Sequence, residues 1–421
     1  MGYPRMARIR QRFDAPRIDD IPAEIRRQFE KLGLGQTIRP GQTVAITAGS
    51  RGIANIALII KSIVESLKSL GAVPFVVPAM GSHGGGTAEG QREILETYGI
   101  TAEYTGAEIR SSMETVIVDR TPRGLPVHFD KHAAEADHVL VCGRVKPHTG
   151  FVGEIESGLH KMMLIGLGKH AGAKIYHRAI LDYSFLEIIQ AVAKSVLEKC
   201  NVVAGLAIIE NARDETALLE AVAPGDFFDR ERELLKIAKE WMPRLPIKRV
   251  DLLIVDEIGK DISGSGLDTN VVGRKFRDHA ATDQDGVSCR RIFVRGLTEA
   301  THGNAVGIGI AEFTNQRTVE AIDPVATRIN AVTGGHPAVA AVPIALPTDR
   351  ESVDAALQCV GLVEPENARV IQIADTLHVE HLLVSESCLA ELADREDVEI
   401  VSAPEPMAFD DSGNLLPVPR A

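Results

Sequence analysis

The sequence predicts an α/β protein made of two α/β domains with mostly parallel sheets and an active-site cleft between them. Three observations carry this. Short apolar runs alternate with helical patterns up to about residue 210, a proline-containing basic break follows near residue 245, and the same alternation then resumes. At 421 residues the chain also exceeds the size at which a single core stops growing.

The first run, TVAITAG at 43–49, reads as a buried strand, and IALIIKSIVESLKSLG at 56–71 as the helix after it. VPFVVPAMG (73–81) and TAEGQREILETYG (87–99) repeat the pair. Strands follow at 138–145 and 201–211, with a helix over 185–199 between them. Strands joined by helical crossovers pair in parallel, with helices covering both faces. The segment 240–249, EWMPRLPIKR, reads as a linker, which divides the chain into 1–245 and 246–421. The second half is expected to form strands at 250–259, 290–298, 304–313 and 369–375, with helices at 316–332 and 349–361. The last ~30 residues are expected to pack back on the N-terminal domain.

Composition limits the partners. A net charge of −12 and a pI near 5.6 do not suit a nucleic-acid surface or an anionic membrane, because both need a clustered positive field. No window reaches the roughly 18 apolar residues of a membrane span. The start of the chain has no apolar signal region, so the expected location is cytoplasmic. The 5 cysteines are scattered without a CxxC and read as buried thiols. A small-molecule partner is expected, and a homodimer is left open.

In parallel α/β sheets ligands bind beyond the carboxyl ends of strands, so polar residues just after predicted strands come first. AGSRG (48–52) places Arg51 between a strand and a helix, where a guanidinium can hold a carboxylate or phosphate. A plain surface arginine is the alternative. In MGSHGGGTAEGQ (80–91), His83 precedes three glycines and a helix-capping Thr87. A flexible turn would look similar. The stretch 144–177 holds His148, His160, His170 and His177 with Lys146, Lys161, Lys169 and Lys174, a concentration that suggests an anion or metal site in an acidic protein. It has no zinc-protease spacing, and His160 and His170 are read as structural. In the second half, ISGSGLDTNVVGRK (262–275) could present Asp268, Arg274 or Lys275, or be a plain turn.

These motifs, in this order, resemble the lactate racemase family, whose members use a nickel-pincer nucleotide. SRG at Ser50–Gly52 resembles the family's substrate-arginine loop, and GSHGGGT at Gly81–Thr87 its first catalytic-histidine loop. KPHTGFVG at Lys146–Gly153 resembles the Pro-His segment, and SGLHK at Ser157–Lys161 the segment whose lysine is bonded to the cofactor, with Leu159 standing where the family has a second glycine. His177 falls where the family places its nickel ligand. The resemblance implies an isomerase that racemises or epimerises a 2-hydroxy acid by reversible hydride transfer. His83 and His148 would be its two acid/base groups, Arg51 with Arg274 and Lys275 its substrate contacts, Lys161 the tether and His177 the metal ligand. The competing readings are a metal-dependent hydrolase or lyase, and a non-catalytic cofactor-binding protein on the same fold.

Overall fold

The computed structural model describes residues 2–13, 16–50, 52–150, 152–179, 183–274, 286–333 and 337–419, and within them leaves aside the side chains of His177, Arg178 and Phe185. Arg51 and Lys275 lie outside the described residues, as does the side chain of His177. The chain divides into two compact units, one comprising Ala15–His148 and Val152–Met242, the other Met1–Asp14, Thr149–Phe151 and Pro243–Ala421.

The unit containing residues 15–148 is built on a six-stranded sheet. Its strands run in the order Glu108–Ile109, Val73–Pro78, Thr43–Ala48, His138–Arg144, Val202–Glu210 and Thr216–Val222. All neighbours pair in parallel except the last two, which are antiparallel. The central strands are almost wholly buried, which is why they read as continuous apolar runs and not as alternating ones. Helices Ile21–Leu32 and Ile56–Ser69 cover one face, burying Ile25, Phe29, Ile59, Ile60 and Ile63 in one cluster with Val44, Ile46 and Leu206. Asp20 caps the first helix by accepting from Ala23 N at 2.9 Å, and Gly33 ends it in the left-handed conformation. Thr115–Arg120 and Pro126–Asp130 form a separate antiparallel hairpin, against which helix Phe185–Lys199 packs.

The other unit has a nine-stranded mixed sheet. Ile344–Leu346, Phe313–Asn315, Ser288–Val294, Arg249–Val255 and Val370–Ile373 are parallel in that order, and His381–Ser385, Arg5–Gln11 and Val398–Ile400 continue it antiparallel. This corrects the division at residue 245 in one respect: the first 14 residues belong with the second half. Arg5–Gln11 alternates exposed arginines with buried Met6, Ala7, Ile9 and Gln11, a half-buried antiparallel pattern that its charges conceal. The end of the chain pairs with that same strand through Val398–Ile400 and Glu405–Pro406, so the last ~30 residues stay within their own unit.

Residues 304–313 do not form the expected strand. They fold as a short 3₁₀ turn, Ile308–Ile310, and the strand begins only at Phe313. Gly307 has φ +102°, and a Cβ there would lie 1.7 Å from Ser265 O, so the chain must turn where the apolar run suggested extension. The helix expected over 316–332 is broken into Gln316–Glu320 and Pro324–Thr333 at the proline. Cys142, Cys289 and Cys388 are buried as expected, whereas Cys359 is exposed. No helix among the described residues is long and apolar enough to cross a membrane.

Candidate active site

Thr43–Ala48 comes first in sequence yet lies inside its sheet, with Val73–Pro78 on one side and His138–Arg144 on the other. Strand order therefore reverses at its carboxyl end, the place where a crevice opens in doubly wound sheets. The three segments that leave these strands are the Ser50 loop, the His83 loop and the Pro147-His148 turn. Cys142, on the strand leading to His148, is no nucleophile, since burial pushes its thiol up to about 12.

His83 is held from two directions. Its Nδ1 is hydrogen-bonded to Ser50 Oγ from the neighbouring loop. Behind it, the fully buried Gln91 donates from Nε2 to His83 O at 3.2 Å and to Gly81 O at 2.9 Å. Gly84 has φ +65°, and a Cβ there would lie 2.5 Å from the Gly90 carbonyl carbon, so glycine is required for the loop to turn back onto helix Ala88–Thr97. Thr87 caps that helix by accepting from Gly90 N at 3.1 Å.

The residues that follow Arg51 are anchored, although Arg51 itself lies outside the described residues. Glu210 accepts from Ala54 N at 2.6 Å and pairs with Arg144, which also donates to Gly52 O at 3.3 Å. His148 is fixed through its backbone. Its N–H donates to Glu156 Oε2 at 2.7 Å, and the same buried carboxylate accepts from Gly153 N at 3.2 Å and Lys239 Nζ at 2.6 Å.

The SGLHK segment forms a single short turn, Leu159–Lys161, that runs directly into a π-turn, Met162–Gly166. Such turns are frequent at functional sites. Met162 packs so closely on the strand His138–Arg144 that a Cβ on Gly143 would lie 2.6 Å from its Cγ. Its Cε is within 3.6 Å of the Cβ position of Gly49, and Ile165 sits against Gly81. The segment therefore lies over the tips that carry Ser50, His83 and His148, and Lys161 stands half-buried at its start.

Residues 16–185 match the family model described as the lactate racemase N-terminal domain. This stretch is similar to that domain. Among solved structures the chain is similar to the lactate racemase apoprotein from Thermoanaerobacterium thermosaccharolyticum, at 14% identity over 87% of this chain and 94% of that one, with a TM-score of 0.50. It is also similar to a Thermotoga maritima protein from a structural genomics consortium, at 12% identity over 87% of this chain and 98% of that one, with a TM-score of 0.53. At these identities the likeness is one of fold. No curated protein matches the sequence.

Within the matched stretch the lysines near Lys161 sort clearly. Lys169 is fully buried, paired with Asp130 at 2.9 Å and donating to Pro78 O at 2.5 Å, while Lys174 is exposed on helix Lys169–Ala179. His160 is buried as a structural residue, held by Glu231 and set edge-on to Phe227 and Phe228. His170 is exposed. No group of three or more His, Cys, Asp or Glu side chains that could hold a metal ion occurs among the described residues.

Outside the matched stretch, the expected substrate contact Arg274 is corrected by its surroundings. It is 2% exposed, and its guanidinium is taken up by Glu312 at 2.5 Å and by the carbonyls of Ile310, Cys289 and Arg290 at 2.8–3.0 Å. That is a packing role within its own unit. Asp268 caps the short helix Thr269–Val272, accepting from Asn270 N at 2.9 Å. The sequence reading missed Gln91, Glu156, Glu210 and Glu231, the side chains that hold the site loops. Only the burial of Glu156 and Glu231, at 1% exposure each, distinguishes them from surface carboxylates.

Proposed function

We propose that the protein racemises or epimerises a small 2-hydroxy acid, working with a nickel-pincer nucleotide as cofactor. One observation supports this reading most: strands Val73–Pro78 and His138–Arg144 flank Thr43–Ala48, so the segments bearing His83 and His148 reach one switch point from opposite sides. Inversion at a carbon bearing a hydroxyl needs a proton acceptor for each of the two hands of the substrate. A pair of imidazoles can both take and return that proton near neutral pH.

In this reading His83 and His148 each take the hydroxyl proton from one enantiomer and return it when the other forms. Arg51, on the loop anchored by Glu210 and Arg144, binds the substrate carboxylate and fixes which face is presented. The residues fit the cofactor in one respect: of three neighbouring lysines, Lys169 is consumed by Asp130 and Lys174 is exposed, while half-buried Lys161 lies over the strand tips. Lys161 would hold the organic part and His177 the metal. When bound, the group supplies the acceptor and donor for the substrate's α-hydrogen.

The test is to express the protein in a host that makes the cofactor, then to measure nickel content, intact mass and interconversion of single enantiomers of 2-hydroxy acids. Nickel, a covalent mass addition and enantiomer interconversion are expected together. Nickel-loaded, mass-shifted protein that leaves every enantiomer unchanged would favour a cofactor-binding protein without turnover.

A further inference from the structure

We infer that Ser50 is a positioning residue that sets the tautomer of His83, so that the neutral imidazole carries its proton on Nδ1 and exchanges protons through Nε2. As a statement about catalysis this rests on the reading of His83 given above. The direction of the hydrogen bond is argued from that same reading, whereas the tautomer itself is read directly by the experiment below, whether or not the protein turns over a substrate.

The hydrogen bond joins two loops that are far apart in sequence, Ser50 following Thr43–Ala48 and His83 following Val73–Pro78. Both ends are pinned by one helix. Gln91, inside Ala88–Thr97, holds His83 O, and Tyr98 at that helix's C-terminal end donates its hydroxyl to Ser50 O at 2.9 Å. Ser50, His83, Gln91 and Tyr98 therefore close a ring in which the backbones carrying the hydroxyl and the imidazole are both held by the same helix segment. The two backbones are thus held in place, and Oγ and Nδ1 meet between them.

A serine hydroxyl can donate or accept, so chemistry decides the direction. A histidine that accepts a proton on Nε2 passes between a neutral and a doubly protonated ring, and Nδ1 bears hydrogen in both of those states. An Nδ1–H donating to Ser50 Oγ is compatible with both, whereas a hydroxyl donating to a bare Nδ1 would leave Nε2 already protonated and unable to act as a base. The bond made by one ring nitrogen sets the role of the other. Free histidine favours the Nε2–H form, so the serine must hold the ring in its less favoured tautomer.

The experiment is long-range ¹H–¹⁵N correlation on the full-length, cofactor-free protein labelled at histidine, with His83 assigned by loss of its signals in His83→Gln. The neutral His83 ring should appear in the Nδ1–H form in the wild type and in Ser50→Thr. It should shift toward the Nε2–H form in Ser50→Ala, with folding checked by the unchanged signals of the other histidines. An Nε2–H ring in the wild type, or the same tautomer in wild type and Ser50→Ala, overturns the inference. In cofactor-loaded protein, kcat should fall roughly tenfold in Ser50→Ala and recover in Ser50→Thr, a smaller loss than the roughly 10²–10⁴-fold expected from removing the base itself. A tautomer shift in a protein that racemises nothing would leave this inference standing and remove the functional reading instead.

Discussion

Glu231 Oε2 accepts two hydrogen bonds from His160, one from its backbone N–H at 3.1 Å and one from Nδ1 at 2.9 Å. Both side chains are buried, and a Cβ on Gly158 would lie 2.6 Å from the other carboxylate oxygen. One carboxylate thus shapes the turn that delivers Lys161. Glu231→Ala leaves two buried donors unmet, so the variant should lose about 3 kcal/mol in urea unfolding with an unchanged m-value. A loss under about 0.5 kcal/mol, the range of ordinary surface substitutions, would show that the turn is held by something else.

Lys161 and Lys169 should fail differently. Lys161→Ala should fold normally and lack the covalent mass addition seen in wild type from a cofactor-making host. Lys169→Met leaves buried Asp130 without its partner and should cost about 3–5 kcal/mol. A Lys161→Ala protein that keeps the adduct would move the tether to another lysine.

Leu159, where the family pattern has a second glycine, is accommodated by a glycine elsewhere. It is fully buried, and a Cβ on Gly205 would lie 2.6 Å from its Cδ1 and 2.8 Å from Phe227 Cζ. Leu159→Ala should cost about 2–5 kcal/mol through the cavity it leaves. Gly205→Ala should also destabilise, and the double variant should be more stable than the sum of the two predicts by about 0.5–3 kcal/mol. Simple additivity would mean the two residues do not share one space.

Much of the N-terminal unit was legible because its central strands are buried on both faces and its loops carry His83 and His148 immediately after them. Arg5–Gln11 was hidden because its partners, His381–Ser385 and Val398–Ile400, lie near the other end of the chain. The same distance concealed the anchors of the site: Glu210 holds the Ala54 turn across 156 residues, and Glu231 holds His160 across 71. Arg274 misled for the opposite reason. Its neighbours in sequence suggested a ligand loop, and only its burial beside Glu312 reveals a packing role.

Acid should weaken the second unit through Asp349. Burial works to raise its carboxyl, but Arg317 and Arg295 outweigh it and hold it below the usual carboxylate range. A carboxylate depressed in the folded state contributes stability above its unfolded pKa, near ~3.9, and loses it as pH falls through the folded value. Asp256, on the same Arg295, is raised by burial and acts in the opposite sense. Asp349→Asn should therefore be less stable at neutral pH and lose less on acidification below about pH 4. Parallel stability curves for variant and wild type, from denaturant titrations across that range, would contradict this assignment.

The two-histidine account is tested most directly by chiral chromatography of a 2-hydroxy acid turned over by cofactor-loaded His83→Ala and His148→Ala, each started from either enantiomer. Every inversion uses both histidines, so each single variant should lose roughly 10²–10⁴-fold in both directions. Near wild-type interconversion in both variants would contradict the account and leave only the shared fold.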